Sequence, residues 1–369
     1  MPVGSSRKPR NPKQKPSEVA LEAKKQYIPI VRSNPQWKTY SYLHYDPLSE
    51  LLFAGPPPRN LGPPEFYILT GDPADTALQW ASQSGIPVPL ICGANDKRPG
   101  GDWETGVSGY EGELCRRSSL AAALATPGPG SVVPDNFPIP TSGVIWAEDV
   151  VVFRGPHDSY DKLPQESWWS LPVCSVPPVR GPKLTENGTK YSFETEREVM
   201  KMKLRGALRA CAYHMGSGGA DCAAAAEVSV VLVGDFGLGS TYRNPPQELA
   251  ELWRDVFLYD PDIRGRIRQA AFVFDDPERS TAQLILADLN KKNKNSAGHY
   301  ESSGKGKTAP NKQSAWSSSS IASASSSVYG GSGYLSDFEI FRRVFDSREV
   351  RRVMGERDSR YGLQNLLTN

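Results

Sequence analysis

Several stretches of the chain carry almost nothing but apolar residues. VSVVLV (228–233) has one polar position in six, and AAFVF (270–274) has none. VPLICGA (88–94), GVIWAEDVVVF (143–153) and LPVCSV (171–176) share this character. Short continuous apolar runs of this kind predict strands buried on both faces, with one or two strands in 143–153. Between them lie amphipathic stretches. Met200, Leu204, Ala207, Leu208 and Cys211 recur at i, i+4, i+7, i+8 and i+11, one face of a helix. Thr195 and Glu198 in TERE predict a capping box at its start. Glu113 to Leu124 predicts a helix stopped by TPGPG, and Pro246 to Leu258 a helix with proline near its start. A short helix is expected near Ser17 to Lys25, and the proline-rich segment 46–65 is expected to be irregular. Buried strands alternating with amphipathic helices predict an α/β sandwich around a mostly buried sheet.

The pattern fails in two places. Residues 1–16 carry five basic residues and no acid; residues 291–312 carry six lysines against Glu301. Beyond these lysines, ten of the twenty residues in 314–333 are serine. Such segments bury too little apolar surface to offset chain entropy. The expected organisation is therefore a disordered basic tail (1–16), one domain (17–290), a disordered Lys/Ser-rich linker (291–333) and a C-terminal helical segment (334–369). Ser336 and Glu339 predict a capping box, and Phe338, Phe341 and Phe345 form an aromatic stripe that should dock back on the domain.

The two basic segments each carry +5, so with a total of +2 the rest of the chain is net −8. A broad basic groove for nucleic acid is thereby disfavoured. Phosphate bound by the body should be held by backbone amides rather than by a lysine field. No apolar run approaches the roughly 20 residues of a membrane helix, and the polar N-terminus lacks a signal-peptide core. Five scattered cysteines, none in a CxxC pair, read as reduced thiols in an intracellular protein, nuclear or cytoplasmic. The four histidines are far apart in sequence, which gives a histidine-based metal site little support. No metal and no cofactor are expected.

Two glycine-rich loops follow predicted strands. The first, 91–120, contains Gly100 and Gly101 and then Asp102, Glu104, Glu111 and Glu113 just before a predicted helix. The second, VLVGDFGLGSTYRNPP (231–246), spaces Gly234, Gly237 and Gly239 between a strand and a helix start, as phosphate-binding loops do. Neither a P-loop nor a Rossmann fingerprint fits, because no GK[ST] and no suitably placed acid follow.

Taken together the loops are more specific. RPGGD (98–102), WET and GVSGYEGELCRRSSL (106–120) resemble the NPGGG and GAxAQEExLCRRSxL signatures of the microbial-type poly(ADP-ribose) glycohydrolases. GDFGLGSTYRNPP (234–246) resembles that family's GAFGCGxFGNPP with one extra residue, and WAEDVVVFRG (146–155) resembles its SPxVPVFRD strand. The similarity spans roughly 85–290. It implies a macrodomain-like three-layer α/β/α sandwich with a mixed sheet. It also implies a site for ADP-ribose or poly(ADP-ribose), free or on ADP-ribosylated proteins. Asn95, Gly100, Gly101, Asp102, Gly234, Gly237, Gly239, Ser240, Tyr242 and Asn244 would form that site. The glycine-loop amides would hold the diphosphate, and Tyr242 would pack on the distal ribose.

The family's catalytic pair is two adjacent glutamates. Here Tyr110 stands for the preceding glutamine, Glu111 for the first glutamate and Gly112 for the second, with Glu113 one position later. Asp102 replaces the third loop glycine and Arg98 the asparagine. Three readings stay open: a glycohydrolase cleaving ribose–ribose bonds through Glu111 or Glu113, a reader that binds ADP-ribose without turnover, and a hydrolase of another ADP-ribose derivative. Arg116 and Arg117 are expected either to pair with acids on a solvated helix face or to serve the site. Cys115 is expected to be a buried small residue rather than a nucleophile.

Overall fold

The structure, a computed structural model, describes residues 14–53, 63–216, 228–300 and 334–355. Seven strands among them form one sheet: β1 (Tyr42–His44), β2 (Glu65–Thr70), β3 (Leu90–Gly93), β4 (Val144–Val152), β5 (Trp169–Val176), β6 (Val228–Val233) and β7 (Ile267–Phe274). Their order is β1-β4-β5-β3-β6-β7-β2. The pairs β1–β4 and β4–β5 are antiparallel. The other four pairs are parallel, so the sheet is mixed. Alternate residues of the central strands feed opposite cores. Ile91, Val231, Val233, Phe272 and Phe274 enter one cluster; Leu90, Cys92, Leu232, Ala271 and Val273 enter the other. That alternation is why these strands read as uninterrupted apolar runs.

Among the described residues there are eleven α-helices: α1 (Pro16–Glu22), α2 (Ile28–Ser33), α3 (Pro47–Glu50), α4 (Pro73–Ser84), α5 (Tyr110–Arg117), α6 (Leu120–Leu124), α7 (Glu194–Gly216), α8 (Gly239–Tyr242), α9 (Pro246–Tyr259), α10 (Thr281–Tyr300) and α11 (Asp337–Val344). Helices α7, α9 and α11 contribute to the first core, and α1, α2, α4, α5 and α6 to the second. The expected three-layer α/β/α sandwich is the observed one. All five periodic positions of α7 are fully buried.

Local departures have local causes. The stretch 113–124 is not one helix: Ser118 adopts an extended conformation and bridges to Val152, separating α5 from α6. Its hydroxyl turns back to donate to the Leu114 carbonyl at 2.6 Å. Helix α7 begins at Glu194, and its first amides donate to the Phe193 carbonyl, so Thr195 lies inside the helix and caps nothing. The N-terminal helix is longer than expected, because a π-helical turn (Ala23–Tyr27) joins α1 to α2. The run 143–153 is a single strand whose register shifts between Ala147 and Val150. Segment 46–65 is not wholly irregular, since it holds α3 and the start of β2. Helix α10 runs ten residues past the expected boundary at 290. Residues 1–13, 301–333 and 356–369, which carry most of the expected tail and linker, lie outside the described residues. The aromatic stripe packs on the sheet. Phe341 and Phe345 pack on Phe272, Phe338 on Phe274, and the Ser336 hydroxyl accepts the Glu339 amide at 3.3 Å. Among the described residues no helix is long and apolar enough to cross a membrane.

One partly buried pair makes the fold sensitive to acid. His44 and His214 share a hydrogen bond between their Nε2 atoms at 2.9 Å, and His214 stacks on Trp146. Burial pushes His214 down to about 3, helped by His44; burial also lowers His44, against the pull of Glu50. An unfolded histidine titrates near pH ~6.5. Between there and about 3 the unfolded chain therefore binds more protons. Stability is full above ~6.5 and declines as pH falls, by up to about 1.4 kcal/mol per pH unit per proton. Thermal melts from pH 7 to pH 5 should show a falling midpoint, and His214→Phe should flatten that slope. An unchanged slope in the variant would assign the sensitivity elsewhere.

Candidate active site

Parallel strands deliver their loops to one end of the sheet, and ligands of open α/β sheets bind beyond those carboxyl ends. Segments following β3, β5, β6 and β7 converge there on a cavity of about 230 Å³. After β3 come Asn95, Gly100, Gly101, Asp102 and Trp103, then Glu111, Gly112 and Glu113 in the first turn of α5. Arg180 follows β5, and Asp235, Gly239, Ser240 and Tyr242 follow β6. Asp275 and Arg279 follow β7. A second cleft of about 700 Å³ shares Asn95, Arg180 and Tyr242 with the first and adds Lys97, Arg98 and Lys203. Burial pushes the Lys203 amine down to about 8.

The first glycine loop is shaped by contacts beneath it. Gly100 and Gly101 have φ of +67° and +56°, a region that favours glycine. A Cβ on Gly100 would lie 2.7 Å from Cys115 Sγ and 2.9 Å from Trp103 Cδ1. Cys115 is thus a buried small residue under the loop, as expected, and burial pushes its thiol up. The two substituted loop positions answer each other: Arg98 and Asp102 form an ion pair, which turns the Asp102 carboxylate toward a cation.

Glu111 is the distinctive group. It is buried, and its Oε2 accepts the Asn95 amide at 2.8 Å. Its Oε1 is buried without a hydrogen-bond partner. Burial pushes the carboxyl up to about 8, against the Asn95 and Gly100 amides and the Arg180 charge. At neutral pH this group holds its proton. Glu113 has different partners. Its Oε1 accepts the Gly109 amide at 3.3 Å and its Oε2 lies 3.7 Å from His157 Nδ1.

Of the residues expected in the site, Asn95, Gly100, Gly101, Asp102, Glu111, Glu113, Gly239, Ser240 and Tyr242 line the cavity. Gly234, Gly237 and Asn244 do not. Asn244 is fully buried; it donates to the Val179 and Gly237 carbonyls and accepts the Tyr191 hydroxyl, which leaves it a brace for the loop. Gly237 turns inward against Asn244 and Met200, and Gly234 packs against Pro73. The loop amides are also less free than expected: Gly239 donates to Thr281 Oγ1 at 2.7 Å and Gly101 to the Arg98 carbonyl at 3.1 Å. Tyr242 donates its hydroxyl to the Ala94 carbonyl, and Arg180 lies 5.4 Å over its ring. Arg180 is exposed and forms no ion pair among the described residues. Arg279 pairs with Asp235 and with Asp275. The two arginines were missed in the sequence because neither belongs to a glycine loop. Their positions just beyond β5 and β7 were the available signal.

Arg116 and Arg117 are not on a solvated face. Arg117 is buried and pairs with Asp72 at 2.7 Å and with Asp75, where an unpaired charge would cost about 3–5 kcal/mol. Arg116 donates to Tyr160 Oη at 2.8 Å and the Trp103 carbonyl at 3.0 Å. Both arginines fix α5, and through it Glu111, against the rest of the domain.

Comparison with known proteins adds the decisive observation. Residues 23–155 match the family described as microbial-type PARG, catalytic domain. The match takes in the first glycine loop, α5 and β4, and the second loop lies beyond it. A search of curated proteins finds no match. Among solved structures, the chain is similar to poly(ADP-ribose) glycohydrolase (PARG) from Thermomonospora curvata. Identity is 18%, the TM-score is 0.52, and 74% of this chain and 98% of that one are covered. The same enzyme bound to the inhibitor ADP-HPD gives 18% identity and a TM-score of 0.50, covering 75% and 98%. Over residues 23–155 the chain is therefore similar to the microbial-type PARG catalytic domain, and it shares the fold of those solved structures.

Proposed function

We propose that the cavity binds ADP-ribose and that the domain hydrolyses ribose–ribose O-glycosidic bonds with Glu111 as the acid. The carrying observation is the buried Glu111 carboxyl, anchored by one oxygen to the Asn95 amide and pushed up to about 8 by burial. Such a carboxyl can give its proton to the leaving ribose oxygen as the glycosidic bond breaks and an oxocarbenium-like centre develops. Water then adds to the anomeric carbon and returns a proton to the Glu111 carboxylate. The cavity and its neighbouring cleft together fall within the ~300–1,000 Å³ typical of small-molecule sites. Arg180, which forms no ion pair among the described residues, supplies positive charge for a diphosphate within an acidic body. The similarity to a poly(ADP-ribose) glycohydrolase structure bound to the inhibitor ADP-HPD favours a ligand of that class.

One observation favours the reader: Gly112 stands where the family's second glutamate would be. Titration calorimetry with ADP-ribose, beside release of ADP-ribose from the polymer, separates the readings. Binding with turnover supports the glycohydrolase, and binding alone supports the reader. The site itself is tested by Gly239→Val. Gly239 has φ of +72°, and an added Cβ would meet nothing nearer than Arg279 at 3.9 Å, so the branched side chain would occupy the cavity. Affinity for ADP-ribose should fall at least about tenfold, or about 1.4 kcal/mol. Parental affinity in a folded Gly239→Val protein would remove this wall from the site.

A further inference from the structure

We propose that Glu113, His157 and Asp275 hold a divalent transition-metal ion, Zn²⁺ or Mn²⁺, at the edge of the cavity. The three residues come from the first turn of α5, the loop beyond β4 and the end of β7, and one ligand atom from each lies within 4.8 Å of the others. Donors around one such ion stand about 2.0–2.2 Å from it, hence roughly 3–4 Å apart. The gap of 3.7 Å between Glu113 Oε2 and His157 Nδ1 already fits, and a small rotamer change brings in the third donor.

A second observation is the charge around the cluster. Asp235 is nine-tenths buried, with Oδ1 lacking any hydrogen-bond partner, and Arg279 ties it to Asp275. Glu113, Asp235 and Asp275 line the cavity beside Arg279, which pairs with both aspartates; a divalent ion would balance the negative charge left in that corner. An imidazole among carboxylates selects transition metals over Mg²⁺ and Ca²⁺, which prefer all-oxygen sites. His157 Nε2 faces Asp158 Oδ1 at 3.8 Å, an arrangement that leaves Nδ1 for the metal. Glu113 and Asp275 line the cavity, so the remaining coordination positions face the volume where a diphosphate would lie. That extension rests on the ADP-ribose reading; metal binding without nucleotide does not.

The test is titration of the chelator-treated full chain with Zn²⁺, Mn²⁺ and Mg²⁺ and no nucleotide, by calorimetry and, for Mn²⁺, electron paramagnetic resonance. One equivalent of Zn²⁺ or Mn²⁺ should bind. His157→Asn and Asp275→Asn should each weaken it at least tenfold, since even outer-shell losses cost about 10–100-fold. His44→Gln should leave it unchanged, which separates the site from the His44–His214 pair. Melting curves establish that each variant is folded. Absence of binding overturns the proposal, as does binding that survives both substitutions or is lost with His44→Gln. Equal affinity for Mg²⁺ overturns the assignment to a transition metal.

Discussion

Glutamine at position 111 is expected to abolish turnover of poly(ADP-ribose) while ADP-ribose still binds. Glutamine keeps the carbonyl oxygen that accepts the Asn95 amide, so the shape of the first loop should survive. It removes the proton that the leaving oxygen needs, and loss of a positioned general acid costs about 10²- to 10⁴-fold. The parent's rate should also fall as pH rises past about 8, where Glu111 ionises, and the variant's residual rate should not follow that profile. Stability gives an independent check. The folded-state pKa of Glu111 is raised, so the folded chain binds the extra proton. That stability is fully present below the ordinary glutamate value and is lost as pH climbs through about 8. The Gln variant should therefore gain on the parent between pH 5 and pH 9, as denaturation midpoints would show. Undiminished turnover by Glu111→Gln would remove Glu111 as the acid.

The interior of this fold was legible in the chain because chemistry and geometry coincide there. Strands β3, β6 and β7 are buried on both faces and read as apolar runs; α7 turns one face to the sheet and shows it in its period. The outer strands β1 and β2 were not legible, since one has three residues and the other is half-exposed along its length. The break at Ser118 was hidden because serine tolerates a helix and the cause lies in pairing with Val152. The site was half legible. Glycines at 100, 101 and 239 are needed where φ is positive, and such positions leave a mark in sequence. The chemistry around them was less visible. Nothing local says that Glu111 would lose water and keep its proton, that Asn244 would spend every polar atom on the scaffold, or that His157 would meet Glu113 and Asp275. Those outcomes depend on which segments meet at the ends of the parallel strands, and local sequence does not show that.

Gly112→Glu should raise turnover without tightening ADP-ribose binding much. Gly112 lies in the first turn of α5, and its φ is not positive, so a side chain meets no backbone strain. An added Cβ would sit 3.4 Å from Arg116 Nη1 and 3.6 Å from Trp103 Cα, ordinary contact distances. Replacing glycine inside a helix should also stabilise it by up to about 1 kcal/mol. Arg116 would hold the new carboxylate ionised. Its negative charge, beside Glu111, would keep the Glu111 proton in place and favour the positive charge that develops on the ribose. An effect of that kind belongs to the transition state, so it should appear in kcat and leave ADP-ribose affinity within a few-fold of the parent. An increase of about 10- to 100-fold is the expected scale, within the range of a positioned carboxyl. Glu113→Gln is the counter-test. Glu113 accepts the Gly109 amide and faces His157, so its loss should cost far less than loss of Glu111. If Glu113→Gln abolishes a robust parental activity while Gly112→Glu adds nothing, the acid is Glu113, two residues beyond Glu111. If the parent and both variants bind ADP-ribose but none turns over polymer at saturation, the pocket is a reader's.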